Sequence, residues 1–361
     1  MGYRYIGAKT RILGEVLAEI QRQVPAGGTV ADIMCGTGAV SLGLRKRGYK
    51  VIAVDVMKQA CIITEVKILL QSAPSFARTS KYLNASGQTL LTEQSGYASI
   101  IQTLNNLLPI DGYFWREFSP EGKPQNGSEP RKYFSTENAS KIDAARAFIQ
   151  RLKEEEAVTD IEHSLMIHDL IIAANDAANI AGTYGHYLSK FVSRALQPIR
   201  FAPMRFEPGG LASGHQIING FAEEVAPTLE ADLCYLDPPY MKRQYAANYH
   251  LLETIAREDE PLAIGKSGLR PWRDEYSDFC SKRRIRPAFE KVITGMNCAR
   301  FLISYSSEGL LSKDEMLELL RRFGDVTVRE FSNKRFKSRD EDAAQNVTEF
   351  LFSLRRENGH A

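Results

Sequence analysis

The sequence has no long apolar run, few cysteines and little net charge, and each absence excludes a class of protein. No stretch of about 18 apolar residues occurs, which argues against a membrane span. The N-terminus, MGYRYIGAKTR, lacks the apolar run of a signal peptide. The five cysteines form no CxxC pair and the six histidines are scattered, so we expect a reducing compartment, no disulfide scaffold and no metal site.

Lysine and arginine total 46 and acidic residues total 44, which gives a formal net charge of only +2. Bulk charge therefore does not indicate a nucleic-acid partner, and any basic surface must be local. The chain has 361 residues, of which 43% are hydrophobic. This is enough for one large domain with an insertion, or for two smaller domains.

The first 71 residues alternate between helical periodicity and short apolar runs. A glycine-rich turn follows the first apolar run, and an acid, Asp55, closes the second. This succession predicts the start of a doubly wound, Rossmann-like α/β domain. The predicted helices cover 10–23, 38–47 and 58–71, and the predicted strands cover 30–34 and 51–54.

The pattern changes at residue 72 and returns near residue 215. In between, residues 110–135 are rich in Gly, Pro and Ser and predict a long surface loop, followed by helices over 136–155 and 160–181. We therefore predict that residues 1–71 and 215–361 form the α/β domain and that residues 72–214 form an inserted, mainly helical region. The later predicted strands cover 233–236, 301–304, 326–331 and 347–354.

The glycine-rich turn reads Asp32-Ile33-Met34-Cys35-Gly36-Thr37-Gly38. Glycines let the backbone approach a ligand closely, and an acid at the end of the next strand, here Asp55, can accept both hydroxyls of a ribose. Ser41 stands where the dinucleotide fingerprint has its third glycine. A structural turn, a nicotinamide site and a site for another nucleoside-bearing cofactor all remain open.

A second motif, Asp237-Pro238-Pro239-Tyr240, follows the apolar run at 233–236. The amino nitrogen of a nucleobase is a poor nucleophile, because its lone pair is shared with the ring. The Asp237 carboxylate and the Pro238 carbonyl, held by two fixed φ angles, can draw that nitrogen towards tetrahedral geometry. The Tyr240 ring can stack on a base rotated out of the duplex. The alternative is a proline turn that simply ends a strand.

With these motifs the chain resembles the Dam-like, alpha-group family of adenine DNA methyltransferases. Tyr5-Ile6-Gly7-Ala8-Lys9 is similar to the N-terminal cofactor motif of that family, and the order of motifs around a long insertion also matches. The resemblance implies S-adenosylmethionine as the cofactor, with Lys9 near its carboxylate and Asp55 on its ribose. The cofactor-binding residues it implies are Tyr5, Gly7, Lys9, Asp32, Met34, Cys35, Gly36, Thr37, Gly38 and Asp55.

One segment departs from the family pattern. Family members often carry an Asp shortly before the Asp-Pro-Pro-Tyr strand, whereas this sequence reads Asn219-Gly220-Phe221-Ala222. We predict that Phe221 packs on the cofactor adenine instead.

The resemblance implies double-stranded DNA as the partner and the insertion as the region that reads its sequence. We predict DNA contacts from six basic residues, namely Arg131, Lys132, Arg243, Lys334, Arg335 and Lys337. The predicted protein is an adenine-specific DNA methyltransferase of bacterial or phage origin, cytoplasmic and associated with the nucleoid. The alternatives are an RNA adenine or DNA cytosine amino-methyltransferase, or a non-catalytic nucleic-acid-binding protein of the same fold. The recognition sequence, the oligomeric state and the presence of a cognate restriction endonuclease or defence system are left open.

Overall fold

The computed structural model describes residues 12–83, 96–239, 242, 244–334 and 346–357, which form two compact units. The sheet unit contains 12–64, Gly209–Gln244 and 276–357, and the helical unit contains Glu65–Pro208 and Tyr245–Glu275. The division therefore differs from the predicted one, because residues 245–275 belong with the insertion and not with the α/β domain. Within the described parts, no helix has the length and apolarity needed to cross a membrane.

The helices are short to medium in length, and several begin or end close to the predicted bounds. In chain order they are α1 (Leu13–Gln23), α2 (Ala39–Lys46), α3 (Lys58–Leu69), α4 (Ser80–Leu83), α5 (Gly96–Asn106), α6 (Tyr113–Phe118), α7 (Thr136–Glu154), α8 (Asp160–Ala177), α9 (Ala222–Val225), α10 (Tyr245–Asn248), α11 (His250–Arg257), α12 (Ile285–Gly295) and α13 (Lys313–Leu320).

One seven-stranded sheet organises the sheet unit. Its strands are β1 (Thr29–Asp32), β2 (Lys50–Asp55), β3 (Gln216–Asn219), β4 (Leu233–Leu236), β5 (Arg300–Ser306), β6 (Gly324–Lys334) and β7 (Asn346–Arg356). They lie in the order β3-β2-β1-β4-β5-β7-β6. The first five strands in this order are parallel, and β7 runs antiparallel to both β5 and β6.

Both faces of the central strands are buried, which is why these strands read as continuous apolar runs. Ala31 and Cys234 belong to a core cluster that also contains residues of α12 and α13. The alternate residues Val30, Val51 and Leu233 point to the other face and are equally inaccessible. A parallel sheet covered on both faces is the doubly wound arrangement, so the predicted fold class is confirmed.

The helical unit begins its two longest helices with side-chain caps. Ser135 accepts the backbone N–H of Asn138 at the start of α7. Thr159 and Glu162 form a reciprocal capping box at the start of α8. The Asp143 carboxylate, on α7, accepts three backbone N–H groups at the start of α6.

The prediction of a long surface loop over 110–135 is only partly correct: residues 119–135 contain no helix or strand, but much of the segment is buried. The segment contains α6, and its aromatic residues Phe114, Phe118, Tyr133 and Phe134 are almost completely buried. Their rings pack edge-on or tilted against one another at centroid distances of 5.5–6.1 Å. Burial of these rings outweighs the turn preference of the Gly, Pro and Ser residues around them.

Candidate active site

The candidate site lies at the carboxyl edge of the sheet, where the strand order reverses. β1 has β2 and β3 on one side and β4 and β5 on the other. The connections that leave β1 and β4 therefore run in opposite directions and open a crevice between them. Ligands of open α/β sheets bind at such a crevice.

The glycine turn leaves β1 and is fixed by its neighbour β2. The Cys35 N–H donates to the Val54 carbonyl at 3.0 Å, and the Gly36 N–H donates to a carboxylate oxygen of Asp55 at 2.9 Å. Gly36 and Gly38 have φ values of 52° and 70°, in the left-handed region that favours glycine. A Cβ on Gly38 would also lie 3.0 Å from the Cα of Thr64, so the turn and α3 approach too closely for a side chain.

Asp55, predicted as a ribose ligand, is also a structural part of this turn. One carboxylate oxygen accepts the Gly36 N–H, and the other accepts the Met57 N–H at 2.9 Å. Each carboxylate oxygen has two lone pairs and can accept more than one hydrogen bond. The ribose role of Asp55 stays a prediction. Its structural role, which is to hold the glycine turn, was missed by sequence reasoning.

Asp32, at the end of β1, is buried behind the turn. Its carboxylate accepts the Ser41 hydroxyl at 2.6 Å. Burial, opposed by this hydrogen bond and assisted by the charges of Asp237 and Asp55, raises the pKa of Asp32 to about 7. Ser41 occupies the third position of the incomplete dinucleotide fingerprint, and it serves here to hold an acid.

Asp237 lies at the same edge, because β4 is the direct neighbour of β1. Asp32 stands opposite Tyr235, whose carbonyl accepts the Ile33 N–H at 3.2 Å. Asp237 follows Tyr235 by two residues, and its charge raises the pKa of both Asp32 and Tyr235. The Asp-Pro-Pro segment and the glycine turn therefore leave adjacent strands at one edge.

A buried pair of hydroxyl groups joins β4 to β5, on the side of β4 that faces away from β1. The Tyr235 hydroxyl lies 2.7 Å from the Ser304 Oγ on β5, and both residues are almost completely buried. Burial is the main cause of the raised pKa of Tyr235, so its hydroxyl group stays protonated. Sequence analysis did not single out either residue.

The segment 219–221 leaves β3 beside Asp55. The Asn219 side-chain amide donates to the carbonyls of Asp55 and Val56, each at 2.9 Å, and the Gly220 N–H donates to the same Asp55 carbonyl. Phe221 is half-buried and immediately precedes α9. These bonds fix Phe221 at the carboxyl edge next to β2, and its predicted contact with a cofactor adenine remains a prediction.

A sequence model of the D12 class N6 adenine-specific DNA methyltransferases matches residues 5–319. The chain belongs to this family. Membership confirms the predicted family. The match includes both the glycine turn and the Asp-Pro-Pro-Tyr segment of this D12-class chain.

Named relatives agree with this assignment. Type II methyltransferase M.NlaIII of Neisseria lactamica is 31% identical over 92% of this chain and 92% of its own length. Type II methyltransferase M.FokI of Planomicrobium okeanokoites is 31% identical over 98% of this chain but only 53% of its own length. The D12-class chain thus spans about half of M.FokI and nearly all of M.NlaIII.

Similarity to a solved structure is weaker. An rRNA methylase from Streptococcus thermophilus aligns over 98% of this chain and 99% of its own, with 9% identity and a TM-score of 0.31. A score at this level carries no argument about function.

The basic residues predicted to contact DNA have different outcomes. Arg131 does not face solvent: it is completely buried, and its guanidinium pairs with Glu117 at 2.9 Å. That prediction is corrected, because a fully paired, inaccessible guanidinium cannot reach a phosphate. Lys132 is half-buried and its Nζ donates to the Ser189 carbonyl at 3.3 Å. Lys334 ends β6, paired in register with Asn346.

Several predicted site residues lie outside the described residues, and their predictions stand untested. They are Tyr5, Gly7, Lys9, Tyr240, Arg243, Arg335 and Lys337. Among the described residues, no group of His, Cys, Asp or Glu has the arrangement of a metal site. All five cysteines are described, and each is a buried free thiol.

Proposed function

We propose that this D12-class chain transfers the methyl group of S-adenosylmethionine to the exocyclic amino nitrogen of adenine in a specific sequence of double-stranded DNA. One observation carries the proposal. The register of β1 against β4 brings Asp237 to the same sheet edge as the glycine turn and Asp55. Donor and acceptor sites on adjacent strands are what a direct methyl transfer requires.

The residues present fit a nucleoside-bearing methyl donor. Gly36 and Gly38 adopt positive φ and place no side chain in the turn, and the N–H groups of Gly36 and Met57 hold the Asp55 carboxylate in place beside it. Phe221 lies at the same edge as an apolar surface for an adenine ring. When bound, S-adenosylmethionine supplies an electrophilic methyl group on its sulfonium.

The Asp-Pro-Pro segment supplies the activation of the amine. Asp237 accepts one hydrogen of the amino group and the Pro238 carbonyl accepts the other. Pro238 is buried and Pro239 follows it, so the Pro238 backbone is confined to extended geometry and its carbonyl is fixed in advance. Acceptors that need no reorganisation lower the barrier, because they favour the tetrahedral nitrogen over the planar one. The lone pair of this nitrogen would attack the methyl carbon as the carbon–sulfur bond of the donor breaks, so that a neutral thioether leaves, and the proton lost from the nitrogen would pass to solvent.

The target nitrogen is inaccessible inside a stacked duplex, so the base must rotate out. We assign Tyr240 to stack on the rotated base, a contact worth roughly 1–3 kcal/mol. The insertion remains our candidate for the region that reads the surrounding sequence.

Substitution of Asp237 by Ala tests the mechanism. We expect methyl transfer to DNA to fall by at least about 100-fold, since one preorganised electrostatic contact is lost. Binding of S-adenosylmethionine, measured by calorimetry, should change little. Asp325→Ala, which removes an exposed acid from β6, is the matched control and should retain activity. Full activity of Asp237→Ala would refute the assigned mechanism.

A separate experiment is needed to show which base is methylated, whether the substrate is DNA or RNA, and which sequence is recognised. Genomic DNA methylated by the purified protein would be sequenced at single-molecule level to map modified bases. N6-methyladenine in one short motif supports the proposal. Methylated cytosine, or transfer only to RNA, would favour the alternative amino-methyltransferases instead.

We further propose that the protein acts in restriction-modification. The names of M.NlaIII and M.FokI as type II methyltransferases support this role. Such an enzyme would work on cytoplasmic DNA beside a cognate endonuclease. We expect lysates of the source cells to cleave DNA that carries the mapped motif in unmethylated form. DNA methylated at that motif should resist cleavage.

A further inference from the structure

A short hairpin of the helical unit lies outside the predicted recognition insertion. Its backbone pairs Ile264 with Leu269 through two hydrogen bonds of 2.8 and 2.9 Å. The turn between them reads Gly-Lys-Ser-Gly, closed by a bond from the Gly268 N–H to the Gly265 carbonyl. An isolated hairpin this small is not stable by itself, so it must be held by its surroundings.

Side chains from three other segments hold the hairpin. Arg131 donates to the carbonyls of Gly265 and Lys266 at 3.1 and 3.2 Å. Asn126 donates to the Ala263 carbonyl at 2.7 Å, and Ser267 hydrogen-bonds with Nδ1 of His186 at 2.7 Å. The buried ion pair between Arg131 and Glu117 therefore serves to fix this backbone.

The contact between Arg131 and the turn is close enough to require glycine. Gly268 has a φ of 65°, and a Cβ there would lie 2.7 Å from the Arg131 Nε. Ordering a surface turn this completely costs conformational entropy. A turn anchored through a buried ion pair is typical of an element that presents side chains in fixed positions.

The side chains it presents are apolar and basic. Leu262 and Ile264 are 54% and 51% exposed, although both are large aliphatic residues. Lys266, at the tip, is also exposed. The rigid turn therefore presents two aliphatic side chains and a lysine together at the surface.

Two stretches of the sequence that meet at the hairpin contain no acidic residue, and two nearby acids, Asp259 and Glu117, are paired with Arg270 and Arg131. No Asp or Glu occurs between Glu260 and Asp274, or between Asp176 and Glu207. These two acid-free stretches meet at the contact between Ser267 and His186. We call Lys132, His186, Lys190, Leu262, Ile264 and Lys266 the hairpin face; Lys132 joins it through its bond to the Ser189 carbonyl.

We propose that the hairpin face binds duplex DNA, an inference that rests on the proposed function. Leu262 and Ile264 contact base edges in a groove, where thymine methyl groups offer apolar surface. Lys266 and Lys190 neutralise phosphates on either side. Exposed lysines on either side of a rigid apolar tip are complementary to the phosphates and base edges of DNA.

The charge part is tested by Lys266→Ala. Binding of a duplex that carries the mapped methylation motif would be measured by fluorescence anisotropy over a series of salt concentrations. Loss of one phosphate contact should reduce the slope of log K against log salt by about 0.9, for any DNA sequence. Lys291→Ala, which removes an exposed lysine of α12 in the sheet unit, should leave the slope unchanged.

The apolar part is tested by the double substitution Leu262→Ser, Ile264→Ser. Affinity for the duplex should fall by roughly tenfold or more, because the buried apolar area is lost, while the salt slope stays the same. The conservative pair Leu262→Met, Ile264→Val should bind like the original protein. Thermal unfolding of each variant checks that these exposed changes leave the fold intact.

The outcomes separate this inference from the proposed function. Unchanged slope and affinity in the Lys266 and Leu262/Ile264 variants, while the unsubstituted protein methylates DNA, would overturn the hairpin face alone. A change in oligomeric mass without a change in DNA binding would also overturn it, in favour of a protein partner. Absence of methyl transfer by the unsubstituted protein would instead overturn the proposed function.

Discussion

Replacement of Asp32 by Asn should make the protein more stable at neutral pH and should flatten part of its pH dependence. Asp32 is completely buried at the end of β1, and its pKa is raised from 3.8 to about 7. Asn keeps an oxygen that can accept the Ser41 hydroxyl, but it carries no charge. The substitution therefore removes the titratable carboxyl group of residue 32 but keeps nearly the same side-chain shape.

The size of the effect follows from the shift in pKa. Between pH 3.8 and about 7 the folded state keeps a proton on Asp32 that the unfolded state releases. The unfolded state binds fewer protons, so the free energy of unfolding falls as pH rises through this window and levels off above it. At about 1.4 kcal/mol per pKa unit, the full loss is on the order of 4 kcal/mol.

Urea unfolding followed by circular dichroism, from about pH 5 to about pH 8, measures this difference. The stability of Asp32→Asn relative to the unsubstituted protein should grow with pH, by roughly 2–3 kcal/mol over that range. Asp325→Asn removes an exposed charge and controls for net charge. A stability difference that does not vary with pH would show that Asp32 is already ionised at pH 5, and would refute the reasoning.

The remaining predictions concern the turn, the buried ion pair and a helix cap. Gly38→Ala should weaken binding of S-adenosylmethionine at least about tenfold, measured by calorimetry, because φ is 70° and Thr64 blocks a Cβ; unchanged affinity would contradict the described turn. Arg131→Met should destabilise the protein by about 3–5 kcal/mol in urea unfolding, since it removes the buried partner of Glu117 and leaves only the partly exposed Arg116; Lys123→Met, an exposed basic residue, is its control. Thr159→Ala should cost about 1 kcal/mol, because the α8 capping box is lost, and Thr159→Ser should recover most of it.

The candidate catalytic edge of the sheet was predictable from sequence because its signals are local. One apolar run is followed by glycines and another by Asp-Pro-Pro. Each pattern indicates a strand together with the turn that follows it. The rule that parallel strands end at one edge then predicts that Asp32, Asp55 and Asp237 share a crevice. The β1–β4 register confirms that Asp237 and the turn are neighbours.

Other features depend on contacts distant in sequence and were missed. Arg131 looks like a surface residue in a segment rich in Gly and Pro, yet Glu117 and the carbonyls of 265 and 266 enclose it. Residues 245–275 continue directly from the catalytic motif, and nothing in their periodicity shows that they pack with the insertion. The aromatic residues of 110–135 were the available signal that this segment is buried.

The central strand pairing also bears on how the enzyme comes into being. β1 and β4 are direct neighbours in the sheet, but the residues that pair, such as Val30 and Leu233, are separated by most of the chain. Closing so long a loop is slow, and a ribosome must synthesise the larger segment of the helical unit, Glu65–Pro208, before β4 exists. A nascent chain contains the residues of the glycine turn early. It gains Asp237, the proposed hydrogen-bond acceptor for the amino group, only after the inserted helices have been synthesised. Under the proposed function, only chains that extend beyond Asp237 could methylate DNA, and a product terminated before that residue would leave DNA unmodified.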